Sequence, residues 1–524
     1  MMKEWMQARS PESMGVPSRR ILAFLQKNDQ AGCCLHGFCI LRHGSIIAEG
    51  YYPPFSKERR HRMYSSSKSI TALAVGLLAD EGKIHLEDSI CEYFRDHQPS
   101  KIHPWIQETT IRDMLRMATP FVTSPYEMID NEGHDWIRMT YECPPTHRPG
   151  QIFSYDTSVA MMLAALVEEK SGMELMDYLR SRLKPLELSS DMGCVKVPNG
   201  QSSWGGSGVL CTLRDLAKLA QLSLNQGCWE GEQLISRSYM EKATSKQIEN
   251  GREGYGYQFW MTAHGFAMKG MGGQMAYCMP KEDMVFAMTA DMQDDPGKIG
   301  WVEEQFYTSI LPYVQERECA EDSESEEALR RYCQNLRMRP HRGAIQSPWM
   351  NRVNGKTYQM IPNAEGTWSS LHLQELSLHF EEKKGSLNWD GHTLRFGLGY
   401  YEMQDFPGFS SKKDAAGIAP VVYWYPKERP VLHMPCMVSG AWQSERVLEL
   451  LCYAVGDFLG VLKIRLVFDE RGITVRMEKF AEKFWEDLQG FQSGILKEGS
   501  YESSCIQCSH ISGDSASVSR GAGI

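Results

Sequence analysis

The spacing of apolar residues changes character part-way along the chain, which restricts the fold to two parts of different construction. From about Met1 to Val314, short strand-like runs are interleaved with long helical ones. Phe38–Gly50 reads as a hairpin that turns at His43-Gly44-Ser45. Ser69–Glu81 reads as a helix with Ile70, Leu73, Leu77 and Leu78 on one face and Gly82 as its C-cap. Thr157–Lys170 is a second helix. Thr212–Leu224 is a third, opened by a capping-box pattern with Asp215 in place of Glu and ending at Gly227. An acidic stretch, Glu316–Glu327, reads as a solvated linker or the acidic start of a helix. Beyond it the period becomes two: Leu376, Leu378 and Phe380, then Leu387 and Trp389, then Leu394 and Phe396, with Asp390-Gly391 as a hairpin turn. Leu462, Ile464 and Leu466 alternate in the same way, and Gly472 turns the chain into Ile473, Val475 and Met477. Such a pattern predicts a small barrel or curled sheet.

The division expected from these patterns is 1–315 for the mixed part, 316–345 for the acidic linker or helix, 346–485 for the mostly β part and 486–524 for a disordered tail. A net charge of −10 argues against a nucleic-acid or anionic-membrane partner. No run of about 18 apolar residues reads as a membrane span, and the first twenty residues lack the apolar core of a signal peptide. The 15 cysteines are odd in number and scattered, with Cys33 and Cys34 adjacent, which fits a reducing compartment better than a disulfide scaffold. The expected location is cytoplasmic. No His-Glu-x-x-His motif occurs, and Cys505-Ile-Gln-Cys508 has the spacing of only half a zinc site, so no metal and no organic cofactor is expected.

Chemistry enters at Met63-Tyr-Ser-Ser-Ser-Lys-Ser69. A serine hydroxyl is a weak nucleophile until a base meets it. If Ser65 opens a helix, Lys68 lies one turn on along the same face, and the helix N-terminus offers N–H groups to a developing oxyanion. Taken alone, the string reads more readily as a serine-rich helix cap at Ser65 or Ser66 than as a catalytic pair.

The segment Met63–Ile90, with Ala74-Val-Gly-Leu77, Asp80-Glu-Gly-Lys83 and Leu86-Glu-Asp88, resembles the nucleophile helix of the β-lactamase-related serine hydrolases. This group includes class C β-lactamases, D-alanyl-D-alanine carboxypeptidases, esterases and 6-aminohexanoate-dimer hydrolases. Pro149–Thr157 is similar to the family's Tyr-x-Asn element, with Tyr155 in place and Thr157 where asparagine is usual. Gly205–Leu216 resembles its glycine-rich passage and following helix; Ser207 fails the G-x-S-x-G pattern because Val209 takes the last glycine position. Met268–Gln274 resembles the Lys-Thr-Gly strand beside the substrate, with Met268 replacing the cation and Lys269 expected on the opposite strand face.

The resemblance spans roughly Pro11–Leu311. It implies a β-lactamase-like α+β fold: an αβα sandwich with a central antiparallel sheet and a helical subdomain. A lipocalin-like β domain would follow at the C-terminal end. It implies Ser65 as nucleophile, Lys68 as base, Tyr155 as proton relay, and the N–H groups of Ser65 and Met271 as oxyanion hole. Thr157, Gly270 and Gly272 would meet substrate, with Gly270 leaving room for it along the strand. The expected activity is hydrolysis of an ester or amide, including small peptides, through an acyl-enzyme. Thr157 and Met268 turn the expectation away from β-lactams, with a true β-lactamase or D,D-peptidase kept as an alternative. They also leave open a non-catalytic ligand-binding or sensor protein on the same fold. Substrate choice would rest on loops such as Thr123–Glu142.

Overall fold

The computed structural model describes residues 5–122, 135–197, 202–364, 371–407, 434–481, 485 and 487–497. In the first part, β1 (Leu35–Arg42) and β2 (Ser45–Tyr51) form the expected hairpin. His43 and Gly44 both take positive φ, the type I′ geometry that suits the twist of paired strands. Further along come β3 (Trp260–Thr262), β4 (Gly265–Gly270), β5 (Gln274–Met279) and β6 (Met284–Ala290). They complete a 6-stranded antiparallel sheet in the order β2-β1-β6-β5-β4-β3.

Successive residues of these strands belong to two different cores. Cys39, Leu41, Met268, Ala276, Val285 and Ala287 face one, and Phe38, Ile40, Tyr277, Phe286 and Met288 face the other. A sheet covered on both sides is apolar throughout, which explains why these segments read as runs rather than as alternations. The second face is covered by α1 (Ser18–Ala31), whose Phe24 meets Phe286 and Phe306 edge-on. The other face carries α2 (Ser66–Asp80), α3 (Thr157–Ser171) and α4 (Leu213–Leu224). The result is the expected αβα sandwich.

Two helices differ from their expected amphipathic form. α2 is buried on every side from Ser66 to Leu78, and α3 from Ser158 to Val167. Helices with no solvent-facing side lie inside a protein, and these two pack on each other at the centre of the first part. α4 begins with the expected reciprocal bonds between Thr212 and Asp215. α5 (Gly297–Ser309) follows the sheet. The acidic stretch resolves into the start of α6 (Ser323–Gln334), capped by Asp322 and packed on α1 through Leu329.

The C-terminal part closes into a barrel. Its strands are β7 (Thr357–Met360), β8 (Glu375–Glu381), β9 (Lys384–Trp389), β10 (His392–Leu398), β11 (Glu402–Asp405), β12 (Pro435–Ser444), β13 (Val447–Ala454), β14 (Gly460–Phe468), β15 (Gly472–Ala481) and β16 (Gly490–Leu496). Nine of them form a ring, with β7 between β8 and β16 and with β10 meeting β12 in parallel; β11 adds to β12. Trp442, Phe380, Phe396 and Phe468 fill its interior. β13 shows how the barrel is docked. Leu448 and Leu450 point into the barrel, while Leu451 and Tyr453 on its outer face join the core beneath the 6-stranded sheet. This is why Val447–Ala454 loses its alternation after Glu449.

The barrel runs beyond residue 485, where a disordered tail was expected to begin. In β16 the usual pattern is inverted: Gln492 and Gly494 are buried, while Phe491 and Ile495 are 57 % and 53 % exposed. Gln492 is accommodated because its amide bonds Leu373 and Ile361, so no apolar alternation marks the strand. The expected tail from 498 onward, with Cys505 and Cys508, lies outside the described residues.

Trp442 is a tryptophan of the barrel interior and is 2 % exposed. Trp442→Ala should destabilise the barrel by about 3–5 kcal/mol, the range for truncating a buried large aromatic. Urea unfolding would show this as a lower midpoint; an unchanged midpoint would contradict the packing described.

Candidate active site

The serines around position 65 have separate partners. Ser66 Oγ donates to the Gln274 carbonyl (2.7 Å), Ser67 Oγ accepts from the Val209 amide (3.0 Å) and Ser69 Oγ donates to the Gln258 carbonyl (2.5 Å). They bind the central helix to three neighbouring segments. Ser65 sits at the head of α2, and its hydroxyl is engaged by Lys68 Nζ at 3.1 Å rather than by the helix backbone. The cap alternative therefore does not describe Ser65.

Lys68 is 1 % exposed. Its amine also contacts the Gly206 carbonyl (2.7 Å) and Thr157 Oγ1 (3.2 Å). Burial lowers it to about 7, Asp156 opposes that effect, and the nearby Arg62 cation reinforces it. A neutral amine that donates to Gly206 and Thr157 has its lone pair left for the Ser65 proton.

Thr157 is the first residue of α3, where Asp156 caps the helix through Ser158. Its hydroxyl is directed at the lysine. Tyr155 precedes it, with its ring centroid 4.9 Å from Lys68 Nζ. Although 38 % of Tyr155 is exposed to the cleft, burial of the phenol raises it to about 12, against a hydrogen bond with Ser65 that lowers it. Trp260 lies 5.3 Å from the Tyr155 ring and Tyr255 lies 5.0 Å from Trp260, so the aromatic segment after Gly254 contributes a wall of the cleft as well as core.

Gly270 has a different close neighbour from the one the sequence suggested. A Cβ there would lie 2.2 Å from the Met63 carbonyl and 3.2 Å from the Ser66 amide. The glycine lets strand β4 press on the turn that carries Ser65, and substrate space is not its only constraint. Gly272 has φ +73, and a Cβ would meet Leu459 Cδ1 of the barrel at 2.2 Å. Gln274 steadies this bend by donating to the Ala290 carbonyl at 2.6 Å. Met268 is fully buried in the core, and Lys269 points the other way to Glu303 (3.0 Å), as strand alternation requires.

Ser65, Tyr155, Gly270, Met271 and Gly272 all line one cleft of about 700 Å³, which Trp260 and the barrel's Phe480 also border. Met271 is 42 % exposed there. Residues 123–134 of the expected specificity loop lie outside the described residues; Trp136–Glu142 is helical. Among the described residues, no group of three or more His, Cys, Asp or Glu side chains is placed to hold a metal ion, and no helix is long and apolar enough to cross a membrane.

Several residues of the site carried no local signal. Arg62 is buried with its guanidinium 4.9 Å from the Tyr64 ring and 4.8 Å from Trp204, and it donates to the Ser207 carbonyl at 2.8 Å. The Gly206 carbonyl on Lys68 gives the glycine-rich passage a direct part in the site. Ser207 contributes its carbonyl and hydroxyl to Arg62.

The sequence profile of the β-lactamase family matches residues 36–300, just over half of the chain. The chain belongs to this family and is a hydrolase of the amide- and ester-cleaving kind. It is 24 % identical over 291 residues to a 6-aminohexanoate-dimer hydrolase from Paenarthrobacter ureafaciens, covering 50 % of this chain and 74 % of that protein. Among solved structures, it is similar to an octameric penicillin-binding protein homologue from Pyrococcus abyssi. That match has 14 % identity, a TM-score of 0.43 and coverage of 90 % of this chain and 98 % of that one. A D-amino acid amidase from Ochrobactrum anthropi matches at 13 % identity and a TM-score of 0.45, covering 56 % and 97 %.

The buried amine has a thermodynamic signature. In an unfolded chain Lys68 titrates near 10.5, in the fold near 7. Between those values the unfolded state binds the extra proton, so stability rises with pH in that window, by up to about 1.4 kcal/mol per pH unit. Lys68→Met lacks this slope. The stability of the wild type relative to that variant should increase between pH 7 and 10.5, measured by denaturant unfolding; a constant difference would contradict a low-titrating lysine.

Proposed function

We propose that the protein is a serine hydrolase that cleaves an ester or a small-peptide amide through an acyl-enzyme on Ser65. The observation that carries this reading is the dehydrated Lys68 amine, near neutral in its titration and 3.1 Å from Ser65 Oγ. Lys68 takes the Ser65 proton as Oγ attacks the substrate carbonyl carbon, and the carbonyl π electrons move to oxygen. The N–H groups of Ser65 and Met271 face that oxyanion, aided by the positive end of α2. Tyr155 delivers a proton to the leaving alcohol or amine and regains one from Lys68. Water then attacks the acyl carbon, its proton passes back through the same pair, and Ser65 is released.

Thr157 serves by orienting the Lys68 amine, and Gly270 and Gly272 keep the strand and bend close to the reacting carbonyl. The cleft offers Trp260, Met271 and Phe480 to an apolar substrate. With Met268 in the core, the strand position that carries a cation in β-lactam-cleaving relatives has no charge, which favours simple esters and short amides. The 6-aminohexanoate dimer named for the Paenarthrobacter ureafaciens hydrolase is a small substrate and supports this class. No metal or organic cofactor enters the scheme.

A fluorophosphonate should label Ser65 in the wild type and leave Ser65→Ala unlabelled; labelling of the alanine variant at an unchanged rate would overturn the assignment. Ester turnover should rise with pH to a plateau above about 7, as Lys68 loses its proton. Lys68→Arg stays charged and should lose about 10²–10⁴ in kcat, the usual contribution of a positioned base.

A further inference from the structure

The segment between β13 and β14 of the barrel reaches both sides of the site. The Asp457 carbonyl accepts from the Arg62 amide at 2.6 Å, and its carboxylate pairs with Arg60 at 2.9 Å. Phe458 lies 5.7 Å from the Arg62 guanidinium. The Leu459 amide donates to Tyr64 Oη at 3.0 Å, and the Leu459 side chain fills the space where a Cβ on Gly272 would be. The Gly460 amide donates to Asp291, directly after β6, at 3.0 Å.

Tyr64 is the residue before Ser65, and its φ is +46. A non-glycine residue in this region costs on the order of 1–3 kcal/mol and persists only where its surroundings hold it. Its hydroxyl is anchored to the barrel, and its ring is under the Arg62 cation. The same four-residue segment thus holds the turn that presents Ser65 and also backs the bend carrying Met271. These are the two backbone pieces whose separation sets the geometry of an oxyanion hole.

We propose that residues 457–460 of the barrel act as a clamp on the nucleophile turn, with Tyr64 as the positioning residue through which the clamp acts. This rests on Ser65 being the nucleophile. The barrel is then part of the hydrolytic machinery and more than a wall beside it. Tyr64→Phe keeps the ring and removes the acceptor for the Leu459 amide. Leu459→Ala keeps the amide and removes the side chain behind Gly272.

The test uses full-length chains and two readouts. The first is the rate constant, not the amplitude, of fluorophosphonate labelling, together with kcat and KM for an ester. A reduced folded fraction changes amplitude but not this rate constant. The second is hydrogen exchange of the amides of residues 62–67. Tyr64→Phe should slow labelling and kcat about 10- to 100-fold with KM within about twofold, and exchange at 62–67 should quicken; such losses match those from small misplacements of reacting groups. Leu459→Ala should act in the same direction, and Leu459→Met should restore most of the rate. If Tyr64→Phe does not fold, the Leu459 pair decides the question. Labelling and exchange unchanged in the folded variants would overturn the clamp. A wild type that is never labelled at Ser65 overturns the nucleophile assignment and the catalytic role of the clamp with it, while exchange at 62–67 still decides whether the barrel holds the turn.

Discussion

Lys68 carries its amine on a helix packed on all sides, and much of the hydrolytic half follows from keeping water away from that one group. An ammonium ion in such a place is costly, so the amine titrates near neutrality. The same burial demands polar partners, and the Gly206 carbonyl and Thr157 hydroxyl supply them. For the Gly206 carbonyl to reach the lysine, the glycine-rich passage must lie against α3. A Cβ on Gly205 would be 2.4 Å from the Ala164 Cβ, and one on Gly206 would be 2.7 Å from the Thr157 carbonyl. Small residues along that passage are therefore a packing requirement transmitted from the amine.

The seam between sandwich and barrel is governed by another balance. The outer face of β13 is apolar where it meets the core beneath the sheet, but the contact is edged by directed polar bonds: Lys463 with Asp294 at 2.8 Å, Arg60 with Asp457, and Asp291 with the Gly460 amide. Apolar burial supplies affinity without fixing register. The charged and amide contacts fix it, and two of the three lie on the segment that reaches Tyr64 and Gly272.

How far these features were legible in the sequence depended on whether their cause is local. The His43-Gly44 and Asp390-Gly391 turns, the Thr212 cap and the alternation of β8 to β10 follow from neighbouring residues, and the structure has them as read. The one-turn spacing of Ser65 and Lys68 is also local, and it places their side chains together. Arg62 and Tyr64 could not be recognised, because their partners lie far away in the chain, at Ser207 and Leu459. β16 was missed because a glutamine, bonded by distant carbonyls, occupies an interior position where an apolar residue would have marked the strand. Gly270 was read as room for substrate; that a Cβ there would also meet the Met63 carbonyl was not legible, because it arises only when β4 crosses the head of α2.

Among the described residues, the ring of the barrel is joined between its first strand, β7, and its last, β16. As the chain emerges during synthesis, the sandwich residues through β6 are complete long before Leu496 is available to pair with Tyr358. An early chain can thus hold every residue proposed for acyl transfer and still lack a closed barrel to support the 457–460 clamp. If the clamp acts as proposed, the full rate of acyl transfer follows closure of the barrel and not completion of the sandwich.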